Sequence, residues 1–155
     1  MKSICIYCTR TGKSKIVAEN IANKKGVELL QITDGKDRKG FFGYVSAAIQ
    51  QLRGKLPELM PIKTQYPLSE YEKIIFVFPI WCEDVCILTK SFLNHYGKEL
   101  NGEVYFVATH MSNITYEKKI VALDCYGKKA SGYYSVCSKS DCFEKSVEEY
   151  IDGII

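Results

Sequence analysis

Five short runs of apolar residues, each followed by residues spaced for a helix, limit what this chain can fold into more than any other feature. The runs are residues 4–8, 27–32, 74–78, 104–108 and 132–137. Three of them are apolar almost throughout rather than at alternate positions, as expected of strands covered on both faces. Between and after them come apolar residues at helical spacing: Ile16/Val17/Ile21, Phe41/Val45/Ala48/Leu52, Val85/Leu88/Phe92, Ile120/Leu123 and Phe143/Val147/Tyr150/Ile151/Ile154. Each set makes one apolar stripe on a helix. Such alternation predicts an α/β fold, a five-stranded parallel sheet with helices on both faces, as one domain over residues 1–155. The stretch 54–69, with Pro57, Pro61 and Pro67, reads as a long surface connection.

In folds of this kind ligands bind beyond the carboxyl ends of the strands, where the winding changes direction. The unusual residues lie there. After the first strand comes "TRTGKS" (residues 9–14), after the third "PIWCED" (79–84), and after the fourth "THMSN" (109–113).

The first of these stretches contains Gly12-Lys13-Ser14, which invites comparison with a nucleotide-triphosphate loop. That loop needs a second glycine five residues earlier, and Tyr7 stands there. A phosphatase loop would use Cys8 as a thiolate and an arginine where Ser14 stands, so Cys8 reads as an ordinary strand cysteine. What remains is Thr9, Thr11 and Ser14 around one glycine at a helix start. Hydroxyls and free N–H groups there suit a phosphate, but they equally suit a plain turn in which Thr11 or Ser14 caps the helix. Both readings stay open. So do two for Trp81, the sole tryptophan: a packing residue, or a ligand contact at the switch point.

Seven cysteines are an odd number without a regular framework, which predicts reduced thiols. Cys5 and Cys8 should project to opposite faces of a strand, and Cys82 with Cys86 lacks two further ligands, so no metal is expected. His95 and His110, the only histidines, belong to no metal motif. The longest apolar run, residues 74–82, is too short for a bilayer, and no leader fits before the strand that begins at Ser3; a cytoplasmic protein without a membrane segment is expected.

The net charge of +3 is unevenly spread. Residues 1–60 hold 11 Lys/Arg against 5 Asp/Glu, and residues 61–155 hold 10 against 13. Interspersed signs argue against a nucleic-acid surface. The cluster Lys36-Asp37-Arg38-Lys39 reads as a solvated loop, with a docking patch for an acidic partner as the weaker alternative.

Three stretches together resemble a known family. "YCTRTGKSKIVAENIA" (residues 7–22) is similar to the flavodoxin phosphate loop and first helix, "DRKGFFGYVSAAIQQLRGKLPEL" (37–59) to a segment of single-domain flavodoxin-family proteins, and "LSEYEKIIFVFPIW" (68–81) to their third strand and its loop. The resemblance implies a flavodoxin-like three-layer sandwich with strand order 2-1-3-4-5, holding flavin mononucleotide (FMN) noncovalently. Carried over by position, Thr9, Arg10, Thr11, Gly12, Lys13 and Ser14 would surround the phosphate. Pro79, Ile80, Trp81 and Cys82 would border the flavin ring, with Thr109, His110, Met111 and Asn113 on the fourth-strand loop framing it.

The implied function is electron transfer, as a carrier or small reductase, with a redox protein or small acceptor as partner; the oligomeric state is left open. The alternative is a flavodoxin-fold interaction module that has lost FMN. The chain departs from the family in having Cys82 and Glu83 where a small residue and a glycine are usual, and no glycine lies between Gly54 and Gly97. A turn with positive φ at that place would be strained.

Overall fold

The computed structural model describes residues 1–112, 114–127, 129–139 and 143–154, with backbone alone at residues 25 and 144–147. Its strands are β1 (Ser3–Tyr7), β2 (Glu28–Gln31), β3 (Lys73–Trp81), β4 (Asp84–Val85), β5 (Glu103–His110) and β6 (Gly132–Cys137). Its helices are α1 (Lys13–Lys25), α2 (Gly40–Arg53), α3 (Ile87–Tyr96), α4 (Glu117–Val121) and α5 (Phe143–Ile154).

The main sheet runs β2-β1-β3-β5-β6 with every pairing parallel. This is the flavodoxin-like three-layer α/β sandwich, with the expected strand order. β4 is an addition that the sequence pattern did not show: two residues folding back antiparallel on the end of β3, Ile80 facing Val85 and Trp81 facing Asp84. Val85, read as the start of a helical stripe, belongs to this hairpin.

Alternate residues of each strand feed two separate apolar layers. Ile4, Ile6 and Cys8 join Ala47, Leu88, Phe92 and Ile120 on the side of α2, α3 and α4. Cys5 and Tyr7 join Val17, Ile21, Ile151 and Ile154 on the side of α1 and α5. Cys5 and Cys8 thus lie on opposite faces of the sheet, as their spacing requires.

Helix α2 forms where expected but faces the other way. Its buried residues are Gly43, Ala47 and Gln51, while Phe41, Val45 and Leu52 of the predicted stripe are exposed. Close packing, rather than apolarity, decides the orientation. A Cβ on Gly43 would lie 2.1 Å from the Arg38 carbonyl carbon, so only glycine fits there. Both polar atoms of the buried Gln51 side chain are paired: its Nε2 donates to the Val85 carbonyl at 2.9 Å, and its Oε1 accepts from the Ile87 N–H at 2.8 Å. That second bond supplies a partner for one of the donors that a helix start leaves unpaired, joining α2 to the start of α3.

Candidate functional site

At the carboxyl edge of the sheet, the ends of β1, β3 and β5 and the flank of α2 enclose a cleft of about 200 Å³ that opens to solvent. From the loop after β1 and the first turn of α1 it receives Thr9, Arg10, Thr11, Lys13 and Ser14. From β3 and its hairpin turn come Pro79, Ile80, Trp81 and Cys82, and from β5 and beyond come Thr109, His110 and Met111. These are the residues singled out in the sequence. Gly12 sits within the same loop, at the start of α1, while Asn113 lies outside the described residues. Pattern reading missed Tyr44, Ala47 and Ala48 on α2 and Ser138 after β6. The 37–59 segment did carry a family resemblance, but its only visible signal was an apolar helical stripe, which says nothing about a polar or small face.

The loop of residues 9–14 is built for an open helix start. Gly12, in the left-handed region at φ 92°, is the N-cap of α1; no side chain caps the helix, and its first turn has no acidic residue. Thr11 and Ser14 therefore do not cap. Instead the Thr9 hydroxyl oxygen accepts the Gly12 N–H at 2.9 Å, which folds the loop, and the Ser14 hydroxyl is buried against Thr109 Oγ1 at 2.7 Å. Arg10 stands 5.2 Å from the Tyr44 ring, bridging the loop to α2. Cys8 turns away from the cleft. Its thiol donates to Cys86 Sγ at 3.5 Å and lies 3.4 Å from Thr89 Oγ1 in the core. Burial pushes the Cys86 thiol up, so that thiol stays protonated.

Opposite the loop, Trp81 is almost fully buried while lining the cleft, so packing and ligand contact are compatible roles for it. The Arg38 guanidinium lies 5.5 Å from the indole ring. Far from being a solvated loop residue, Arg38 is buried and forks onto Asp34, with Nη1 and Nη2 each donating to a carboxylate oxygen at 2.6 Å. Gln50 accepts from Arg38 and donates to Asp34, which closes the network. Arg38 Nε is buried without a partner among the described residues.

Burial alone would raise the Asp34 pKa, but hydrogen bonds from Arg38 and Gln50 and the guanidinium charge outweigh it and bring the pKa to about 2. A carboxyl whose pKa is depressed on folding contributes stability above its unfolded value, near 4, and loses it as pH falls through the folded one. Acid titration should therefore remove about 2 kcal/mol of unfolding free energy between roughly pH 4 and pH 2, and Asp34→Asn should show a flatter acid limb in urea melts over that range.

The β3–β4 hairpin turns on Cys82 and Glu83, both left-handed at φ 48° and 62°. Two left-handed central residues make a type I′ turn, which favours Asn-Gly and costs other residues strain. The strain expected from the sequence is present. Replacing the pair by Asn-Gly should raise unfolding free energy by about 1 kcal/mol in urea melts. The Glu83 carboxylate accepts from the Tyr116 hydroxyl at 3.3 Å, and that hydroxyl accepts from Ser112 at 3.0 Å. His110 is held between the Ser112 carbonyl, 2.9 Å from Nδ1, and the Ser135 hydroxyl, 2.7 Å from Nε2. The carbonyl can only accept, so Nδ1 carries the proton and Nε2 accepts from Ser135. Burial lowers the His110 pKa, against a raising effect of the Ser112 carbonyl, and keeps the ring neutral at pH 7.

The cleft is polar and cationic at one end and apolar at the other, and no carboxylate is found in its lining among the described residues. Arg10, Lys13 and the open start of α1 favour an anion, while Trp81, Ile80, Pro79 and Ala47 offer a flat apolar wall. No helix among the described residues is long and apolar enough to cross a membrane.

Neither a protein-family model nor a curated protein matches the sequence. Solved structures do match the fold. A flavoprotein from Lactobacillus acidophilus NCFM, in complex with FMN, has a TM-score of 0.71 at 20% identity, covering 96% of this chain and 97% of that one. A Bacteroides uniformis ATCC 8492 protein assigned as a flavoprotein has a TM-score of 0.76 at 17% identity, with 97% of each chain covered. An NADH:FMN oxidoreductase in its apo form is more distant, at a TM-score of 0.51 and 16% identity, covering 99% of this chain and 88% of that one. At these identities the likeness establishes a shared fold.

Proposed function

We propose that this chain binds FMN in the cleft at the carboxyl edge of the sheet and transfers electrons, as a carrier or a small reductase. The observation that carries the reading is the cleft's polarity: two cations and an uncapped helix start at one end, an aromatic and aliphatic wall at the other, and no carboxylate between them among the described residues. A dianionic phosphate joined to a flat ring has that same division. A neighbour of the same fold was crystallised with FMN, which supports the choice of this ligand.

Thr9, Arg10, Thr11 and Lys13 would hold the phosphate, and Gly12 leaves the approach clear, since a Cβ there would meet nothing within 4 Å. Trp81, Ile80 and Pro79 would cover the ring and exclude water from it. Thr109, Ser138 and His110 supply polar groups at the far wall, where neutral His110 adds no charge next to the ring. The flavin supplies the electron chemistry when bound, so the protein needs to contribute only position, stacking and electrostatics.

The test is the visible spectrum of freshly purified protein, followed by FMN titration while tryptophan emission is recorded. Flavin absorption bands, or saturable quenching of Trp81 as FMN is added, are expected. A colourless protein that shows no FMN binding in equilibrium dialysis returns the chain to the interaction-module reading. Binding with unchanged emission, after correction for absorbance, would leave FMN in place and make Trp81 a packing residue only.

A further inference from the structure

Helix α2 turns an apolar face to solvent that no other described element covers. Phe41, Phe42 and Leu52 are 74%, 86% and 76% exposed, and Tyr44, Val45 and Ile49 are exposed with them. Hydropathy patterning places such a stripe in the core, yet the packing of Gly43, Ala47 and Gln51 turns it outward. Beside it runs a groove of about 1050 Å³, floored by Phe42, Val45 and Ile49 and walled by Leu56, Leu59 and Met60 of the proline-rich connection. An apolar patch of this kind with a polar rim marks an interaction surface.

The rim identifies the partner. Around the stripe and groove the exposed charges are Lys36, Lys39, Arg53 and Lys55 against Asp37 and Glu58. Arg38 and Asp34 are buried and neutralise each other. Cations stand at both ends of α2: Lys36 and Lys39 before its start, Arg53 and Lys55 at its finish. A second copy of this chain is therefore a poor occupant. Two-fold pairing of α2 with itself would set Lys39 against Arg53 if antiparallel, or each cation against its own copy if parallel, like charge on like in either case. An apolar strip edged by carboxylates fits the same surface with every end satisfied.

We infer that the α2 face and its groove dock an acidic partner protein, which presents an apolar strip flanked by Asp and Glu. That the partner is a redox protein rests on the flavin reading above; the docking itself does not. The two are spatially linked, because Tyr44, Ala47 and Ala48 on the same helix line the cleft. A protein seated on the outer face would be one helix thickness, roughly 10 Å, from the ligand.

The probe is an acidic iron–sulfur ferredoxin, with a basic c-type cytochrome as the charge control, titrated calorimetrically into the protein both with and without FMN. Ferredoxin should bind at low salt and about tenfold or more weaker at roughly 0.2 M salt, while the cytochrome should not bind. Phe42→Ser with Leu52→Ser, and separately Arg53→Glu with Lys55→Glu, should each weaken ferredoxin binding about tenfold or more while leaving the FMN dissociation constant and the thermal midpoint unchanged. All four side chains are exposed and lie outside the cleft lining, so loss of fold is not expected to confuse the result.

The inference is overturned if ferredoxin fails to bind, if it binds the variants as well as the parent, or if the cytochrome binds equally. It is also overturned if the parent sediments as a dimer that the serine variant breaks, since the face would then belong to a second copy. Stopped-flow mixing of reduced ferredoxin with FMN-loaded protein separates the two readings. Binding without flavin reduction supports the docking surface and counts against electron transfer, and so does ferredoxin binding by a protein that takes up no FMN.

Discussion

Arg38→Ala should lower the unfolding free energy by about 3–5 kcal/mol, the largest loss of stability expected from any single side chain around the cleft. The charge on Asp34 is the reason. Its side chain is 2% exposed, and among the described residues Arg38 is its cationic partner, joined by two 2.6 Å bonds. Removing the guanidinium leaves a carboxylate that is both desolvated and unpaired; the side chain must then ionise at great cost or take up a proton. The substitution also empties the space facing the Trp81 ring. Urea denaturation near pH 7 measures the effect, and pairing the substitution with Asp34→Asn separates its causes. If the stranded charge is responsible, the double variant should regain most of the loss. If the missing packing against Trp81 is responsible, the double variant should be no better than the single one.

The loop after β1 should be equally sensitive on the binding side. Replacing Thr9 and Thr11 together with alanine should weaken FMN binding by roughly tenfold to a hundredfold for each hydrogen bond removed, since a hydrogen bond to a charged group is worth about 1.5–3 kcal/mol. The two positions differ in kind. Thr11 is exposed and its side chain is not part of the hydrogen bonding that folds the loop, so Thr11→Ala reports the ligand contact alone. The Thr9 oxygen also accepts from the Gly12 N–H, so Thr9→Ala both removes a donor and releases the turn. Thr9→Ser keeps that acceptor and should bind almost as the parent does. Fluorescence titration with FMN reads all three, and unchanged affinity in a folded Thr9→Ala/Thr11→Ala variant would move the phosphate out of this loop.

The sheet and the ends of its strands could be read in the sequence because burial on both faces leaves an unbroken apolar run, which few other structures produce. Residues 74–78 and 104–108 became the middles of β3 and β5, which run on through Trp81 and His110 into stretches read as loops. The loop of residues 9–14 stood out as hydroxyls and one glycine between a strand and a helix, but those groups suit a cap as well as a phosphate, and it took the structure to show that no side chain caps α1. What escaped was decided by pairs of residues distant in sequence or by close approach. The facing of α2 depends on Gly43 against the Arg38 backbone and on Gln51 bonding Val85 and Ile87, and neither leaves a hydropathy signal. Arg38 looked solvated because it lies among Lys36, Asp37 and Lys39. Only the four-residue spacing to Asp34 hinted at its ion pair, and spacing alone does not say that both groups are buried. Two-residue β4 is shorter than any period that a pattern can reveal.

The division of the core into two layers has a consequence for how the chain is made. The layer beneath α2, α3 and α4 takes its last buried residues, Ile120, Leu123 and Ala130, from the stretch that follows β5. The other layer closes later along the chain: Val77, Val107 and Val136 share it with Phe143, Ile151 and Ile154 of α5. During translation the layer on the α2 side is therefore completed before the layer on the α5 side, and the nascent chain presents a half-finished apolar surface until α5 emerges. Elongation delivers on the order of 5–20 residues per second, so that surface is exposed for roughly one to five seconds, time enough for a chaperone or a neighbouring nascent chain to find it.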